Sequence, residues 1–318
     1  MAPHPRGSRL RRALLGALVT ASVAGPISGA ARSTAVPAPA PAASAPLRAT
    51  TPAALAERYA AGRDAIRAAE RTATRDGHRW RAAMLRAMAD PARSFLFFDG
   101  RDGGRAAEVF GDLSQAERIA VLVPGADTNL DRYGLLRGGA LRLARKLGDR
   151  SAIIAWLGYR TPSTTSLEAL TLDRADTAAP DLRAFVRELS TARPAARISL
   201  LCHSYGSVVC ARAAPGLNVA DIVLYGSVGT AADTAAALRT RATVWAGRGT
   251  ADWVAHVPHM RLRLPFATIG FGTDPVSPGF GARLFAAGDG GHSDYLDSGS
   301  LSLRNIARIV SGQTPADA

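Results

Sequence analysis

Ser204 stands in the run Cys202-His203-Ser204-Tyr205-Gly206-Ser207, directly after the apolar stretch Ile198 to Leu201. A serine on a tight strand-to-helix turn, with small residues two before and two after it, is a nucleophile elbow that lifts the hydroxyl above a sheet. Gly206 keeps the second small position, and Cys202 takes the first, where glycine is usual. The same turn puts Ser204 at a helix N-terminus, where backbone N–H groups favour developing negative charge. A serine hydroxyl is a weak nucleophile until a base takes its proton and a third group orients that base.

His292, in Gly290-Gly291-His292-Ser293, is the preferred base. It lies just past the last predicted strand, where a loop can bring its imidazole over the serine. Of the other histidines, His4 lies in the N-terminal leader and His78 in a helical hairpin. His203 sits beside the nucleophile and is expected to point elsewhere on the turn, while His256 and His259 read as structural or substrate-loop residues. Chain order for an elbow of this kind is serine, then acid, then histidine. Asp252, a short loop beyond strand Thr243 to Ala246, is the preferred acid. Asp274, next to Pro275, is the rival, and Asp289 ranks third. Acyl transfer also needs N–H donors aimed at the oxyanion. One is expected from Tyr205, the other from Pro124-Gly125-Ala126-Asp127; Pro124 has no N–H, so Gly125 or, preferably, Ala126 supplies it.

These residues need a scaffold. Thr51-Pro52 reads as a helix start, and Leu55, Tyr59, Gly62, Ile66 and Ala69 recur on one helical face. A second stretch presents Trp80, Met84 and Met88 until Pro91. This hairpin is expected to serve as a packing or lid element. Beyond it, strands are predicted at 95–98, 106–110, 119–123, 152–156, 198–201, 222–225, 243–246 and 283–286. Helices are predicted at 133–147, 178–189, from about 205, 231–238 and 301–310. Such alternation implies an α/β fold: a mostly parallel sheet with helices on both faces, and a site at the carboxyl ends of the strands.

The runs Val121-Leu-Val-Pro-Gly125, Trp156-Leu-Gly-Tyr159, His203-Ser-Tyr-Gly-Ser207, Phe271-Gly-Thr-Asp-Pro275, Pro278-Gly-Phe-Gly-Ala282 and Gly291-His292-Ser293 follow one another in order. Together they resemble an actinobacterial α/β-hydrolase family catalogued as a domain of unknown function, over roughly residues 94–312. The resemblance implies the α/β-hydrolase fold and a serine-hydrolase site, and it implies no substrate. The family's oxyanion loop reads Pro-Gly-Thr-Gly where this chain has Pro124-Gly125-Ala126-Asp127. An aspartate turned inward there would repel an oxyanion.

The 318-residue chain carries a formal net charge of +13, almost entirely from scattered arginines, with Lys146 the only lysine. No arginine stripe interleaves with aromatics, so no nucleic-acid partner is expected, and attraction to an anionic cell envelope is the milder reading. The first 31 residues read as a cleavable signal peptide: Arg6 to Arg12, an apolar run from Ala13 to Ala24, then small residues before Ala31. The expected location is therefore secreted or extracytoplasmic. A Pro/Ala-rich linker (32–50), the helical hairpin (51–92), the hydrolase domain (93–312) and a short tail (313–318) follow. An exported chain with two cysteines suggests a disulfide, and Cys202 with Cys210 are placed to form one or to remain buried thiols. No metal or cofactor is implied, because no His/Cys/Asp cluster has ligand spacing.

The reading at this point is a secreted serine hydrolase acting on an ester or related acyl bond of a small-molecule or lipid-like substrate. Trp156 and Tyr159 are expected to form an apolar substrate surface. The alternative is a non-catalytic binding or envelope-associated protein that retains the fold.

Overall fold

The computed structural model describes residues 36–42, 45–263 and 268–316. The expected signal peptide lies outside the described residues. Among the described residues, no helix is long and apolar enough to cross a membrane.

Two helices open the described chain, α1 (Pro52–Arg75) and α2 (Arg79–Met88). Thr51 caps α1 by accepting from Ala54 N–H, and Pro52 occupies the first turn, where its missing donor costs nothing. α1 lies against strand β1 (Ser94–Asp99) at close range. A Cβ at Gly62 would come within 2.5 Å of the Phe95 carbonyl oxygen, so glycine is required there. On α2 the buried face is Ala82, Leu85 and Met88 with Arg81, which pairs with Asp131, and Trp80 is exposed. The expected Trp80–Met84–Met88 face is therefore rotated by about one residue. The pair packs on the sheet edge, and no residue of 51–90 lines the Ser204 cavity, so it does not act as a lid there.

The sheet continues with β2 (Arg105–Phe110), β3 (Arg118–Val123), β4 (Ser151–Leu157), β5 (Arg197–His203), β6 (Asp221–Tyr225), β7 (Thr243–Gly247) and a short β10 (Arg283–Leu284). The spatial order is β1-β2-β4-β3-β5-β6-β7-β10. β1 pairs antiparallel with β2, and β2 antiparallel with β4; every other pairing is parallel. The central strands are apolar runs because both faces are covered: β4 is buried along all seven residues, and β3 and β6 nearly or wholly so. Helices α3 (Tyr133–Leu147), α4 (Asp173–Ala192), α5 (Gly206–Ala213) and α6 (Leu301–Val310) supply the cover. Two apolar clusters result, one on each face, the first centred on Trp156, Leu182 and Val208, the second on Ile153, Leu143 and Ile306.

Residues 231–238 are not a helix; only a 3-10 turn, Ala235–Leu238, forms. Ala231 has φ +59 and donates its N–H to Phe271, and Ala232 bridges Gly272, so this backbone is drawn into pairing with the 271–272 loop. The Pro/Ala segment 36–42 has no regular structure, as its composition requires, yet Leu47 just beyond it is buried in the core. A short antiparallel hairpin, β8 (Leu262–Arg263) with β9 (Thr268–Ile269), lies outside the main sheet.

Candidate active site

The turn after β5 holds Ser204 at φ +53, a left-handed conformation that non-glycine residues rarely adopt. Its neighbours leave room for little else. A Cβ at Gly206 would lie 2.5 Å from the Val123 carbonyl, and one at Gly125 would lie 2.6 Å from Ser204 Cβ. Small residues at both positions let α5 and the loop after β3 close on the serine. Cys202 and Cys210 are joined by a disulfide that staples the end of β5 to α5, both residues fully buried. Closing a loop of this length (sequence separation 8) restricts the unfolded chain by about 2–3 kcal/mol. Unfolding in urea of the Cys202→Ala/Cys210→Ala protein is expected to show a stability lower by about that amount; equal stability would mean the staple contributes nothing.

Ser204 Oγ lies 2.9 Å from His292 Nε2. On the far side of the ring, His292 Nδ1 lies 3.0 and 3.1 Å from the two Asp252 carboxylate oxygens. Asp252 is wholly buried and follows β7, where its carboxylate also accepts from Val254 N–H at 2.9 Å to start the 3-10 turn Trp253–His256. Tyr295 Oη donates a third hydrogen bond to Asp252 at 2.5 Å and accepts from Gly249 N–H at 3.0 Å. Burial alone would raise the Asp252 carboxyl, but the bonds from His292, Tyr295 and Val254 outweigh it and hold it down to about 2. Burial, with Asp252 as its neighbour, pushes the Tyr295 hydroxyl up, so it stays a donor.

Asp274, the rival acid, is engaged elsewhere. It pairs with Arg248 at 2.7 Å, accepts from Val276 N–H and lies 3.6 Å from His259. Among the described residues, no hydrogen bond or ion pair joins Asp289 to the His292 ring, whose partners are Asp252 and Ser204.

His203 is not turned away from the site, contrary to expectation. Its ring packs on that of His292 with centroids 4.7 Å apart, and its Nε2 lies 2.8 Å from the His292 carbonyl oxygen. Burial and the neighbouring His292 lower its pKa to about 4. The ring is therefore neutral above that pH, and Nε2–H is the donor to the carbonyl. Gly226 was missed as well. At φ +55 it lies under the acid–base pair, and a Cβ there would meet the Tyr295 ring at 2.9 Å, Asp252 Oδ2 at 3.0 Å and His292 Nδ1 at 3.2 Å. Gly226→Ala is expected to lower kcat on an activated ester at least about 100-fold by displacing the imidazole. Steady-state kinetics beside a circular dichroism spectrum checks this; a folded variant with full kcat refutes it.

The loop after β3, expected to supply an oxyanion donor, is braced by two side chains. Tyr159 Oη donates to the Pro124 carbonyl at 2.7 Å, and Thr161 Oγ1 donates to the Thr128 carbonyl at 2.8 Å. Asp127 is turned towards Thr164, accepting from its hydroxyl and from its N–H, so its charge is spent on the 161–166 loop. Among the described residues, no hydrogen bond engages the backbone N–H of Ala126 or of Tyr205. The Tyr205 side chain points down, its hydroxyl donating to Thr171 and accepting from Ala175 N–H.

Trp156 and Tyr159 do not form a substrate surface. Both are buried, stacked on each other with centroids 6.1 Å apart, and neither lines the Ser204 cavity. β4 runs on to Leu157 in the middle of the sheet, which places Trp156 in the core. The cavity, about 600 Å³, is instead lined by Ala126, Leu135, Leu136, Trp253 and Leu296 beside Ser204 and His292. Chemically, the arrangement can polarise a hydroxyl and hold an imidazolium against a buried carboxylate.

The alpha/beta hydrolase family profile matches residues 99–262, just over half of the chain. An uncharacterized protein of Mycobacterium tuberculosis is 31% identical over 271 residues, covering 71% of this chain and 40% of the relative. The chain thus spans about two fifths of that relative's length. An uncharacterized protein of Mycobacterium bovis is 33% identical over 171 residues, 46% of this chain and 64% of the relative. Among solved structures, an α/β serine hydrolase without lid from Xanthomonas campestris aligns with TM-score 0.45 and 18% identity, covering 72% of this chain and 98% of that one. Esterase LipW from Mycobacterium marinum aligns with TM-score 0.42 and 15% identity, covering 83% and 90%. With its strand order, its elbow and the profile match in agreement, the chain belongs to the alpha/beta hydrolase family.

Proposed function

We propose that this chain is an exported serine hydrolase that cleaves an ester or related acyl bond through an acyl-enzyme on Ser204. The observation that carries the reading is the unbroken relay of Ser204 Oγ, His292 and buried Asp252 at 2.9 to 3.1 Å. In the first half-reaction Ser204 Oγ attacks the acyl carbon while its proton passes to His292 Nε2. Asp252 holds the Nδ1–H and stabilises the imidazolium. The oxyanion accepts from the Ala126 and Tyr205 N–H groups. Collapse breaks the acyl–oxygen bond, and His292 returns the proton to the departing alcohol. In the second half-reaction His292 takes a proton from water, the hydroxide attacks the acyl-enzyme, and Ser204 recovers its proton as the acid leaves.

Export is supported by the basic and then apolar order of the leader and by a disulfide, which persists in oxidising compartments. The substrate is a small-molecule or lipid-like acyl compound. Its apolar part would lie against Leu135, Leu136 and Trp253. The test is rapid mixing with p-nitrophenyl butyrate. A burst of about one equivalent of p-nitrophenol per chain, followed by slower turnover, is the signature of an accumulating acyl-enzyme. Absence of any turnover by the folded chain on a series of acyl esters would favour a non-catalytic binding protein.

A further inference from the structure

Eight large apolar side chains are strongly exposed among the described residues, and they are not scattered. Six of them, Leu135, Leu167, Leu170, Trp253, Met260 and Ile269, lie on segments that follow the carboxyl ends of β3, β4 and β7. These strands are parallel, so the six share the edge of the sheet that carries Ser204. Leu135 and Trp253 line the mouth of the Ser204 cavity, and the Trp253 ring lies 4.7 Å from that of His292 between centroids, tilted by 50°. The other four sit on two loops: Gly270 donates its N–H to the Leu170 carbonyl and ties them together, and Gly272, donating to the Met260 carbonyl, closes the second on itself. Thr164, bonded to Asp127 of the oxyanion loop, connects these loops to the cavity wall.

Scattered exposed apolar residues need no explanation, but a set gathered around one opening marks an interaction surface. We propose that this rim docks the protein on an anionic lipid surface, from which a lipid-like acyl ester enters the cavity. Two observations select that occupant. The rim includes two residues of the cavity mouth, Leu135 and Trp253, so whatever covers it also lies over the opening to Ser204; a lipid layer there delivers substrate, whereas a protein partner would stopper the opening. The charge is complementary, because residues 32–318, without the four arginines of the leader, still carry 35 arginines and lysines against 26 acidic residues, a net +9. Arg132 in the cavity wall and Arg160 beside the oxyanion loop are exposed, and neither pairs with a described carboxylate. Apolar insertion plus attraction to anionic headgroups is the combination that holds a protein at a membrane interface. Delivery of the ester rests on the hydrolase reading; docking does not.

The test is flotation of the full chain carrying Ser204→Ala with vesicles of phosphatidylglycerol and phosphatidylcholine, beside vesicles of phosphatidylcholine alone. Using the alanine variant separates docking from turnover, so failure here and failure of the ester assay are distinguishable. The expected result is binding to the phosphatidylglycerol vesicles that weakens with added salt. Adding Leu170→Ser, Met260→Ser and Ile269→Ser should reduce partitioning at least about tenfold. Trp80→Ser, which removes an exposed apolar side chain on α2, should leave it unchanged. Melting curves of all variants confirm folding. Equal binding by the rim variant, an equal loss in Trp80→Ser, or no binding to either vesicle by the folded chain would overturn the proposal.

Discussion

Replacing Ser204 with alanine is expected to lower kcat on an activated ester by about 10⁶-fold, and His292→Ala by a similar factor. The two side chains act as one unit, since the hydroxyl is useful only while the imidazole 2.9 Å away accepts its proton. Removing both should therefore cost little more than removing either. Activity should not vanish altogether, because the free N–H groups of Ala126 and Tyr205 still stabilise an oxyanion when water attacks directly. The check is kcat for the two single variants and the double variant on p-nitrophenyl butyrate. A double variant that loses the product of the two single factors would mean that serine and histidine act independently, and the relay reading would fail. Ser204→Ala should also relieve little backbone strain, since alanine is no better suited than serine to φ +53.

The second large effect is expected at Asp252. Asp252→Asn should lower kcat by about 10⁴-fold with the fold intact. The carboxylate accepts from His292 Nδ1–H, Tyr295 Oη and Val254 N–H together, and an amide cannot accept all three. With an NH₂ group facing Nδ1, the imidazole would carry its proton on Nε2 and could no longer accept one from Ser204. Asp274→Asn, by contrast, breaks the pair with Arg248 and should change kcat by less than about threefold. Comparable losses in the two variants would mean the acid is misassigned.

The pH dependence follows from the same bonds. The Asp252 carboxyl is held down to about 2 from an ordinary 3.8. A depressed carboxyl contributes stability that is fully present above its unfolded value and is lost as pH falls through the folded one. The stabilising contribution of the Asp252 carboxylate is therefore complete above about pH 4 and is lost towards pH 2. An acid limb of the kcat/KM profile at higher pH belongs to another group.

Ser204 and Asp252 were legible because each follows an apolar strand, and His292 because chain order places it after them, beyond the short exposed strand Arg283–Leu284. The strands themselves were legible because burial on both faces demands continuous apolar runs such as Val121 to Val123 and Ile222 to Tyr225. What lay hidden depends on packing between distant segments. Nothing near Tyr295 announces a hydrogen bond to Asp252, 43 residues away. Gly226 reads as a turn until the ring of Tyr295 is found above it. His203 was legible as a neighbour of the serine but not as the donor that fixes the His292 carbonyl. Trp156 and Tyr159 misled because Gly158 reads as a loop signal; the strand in fact carries Trp156 into the core, and Tyr159 braces Pro124 instead of meeting substrate. Residues 231–238 misled because alanine favours helices, whereas pairing of Ala231 and Ala232 with Phe271 and Gly272 decides that backbone.

The most direct measurement of the central claim is labelling of the purified chain with a fluorophosphonate probe, read by intact mass and peptide mapping beside Ser204→Ala. Such a probe reacts with a serine whose proton is being drawn away by a neighbouring base, and hardly at all with an ordinary hydroxyl. The relay of Ser204, His292 and Asp252 predicts one adduct per chain, on the peptide carrying Ser204, and none in Ser204→Ala. A folded wild-type chain that remains unlabelled, or one labelled equally in the alanine variant, would contradict an activated Ser204.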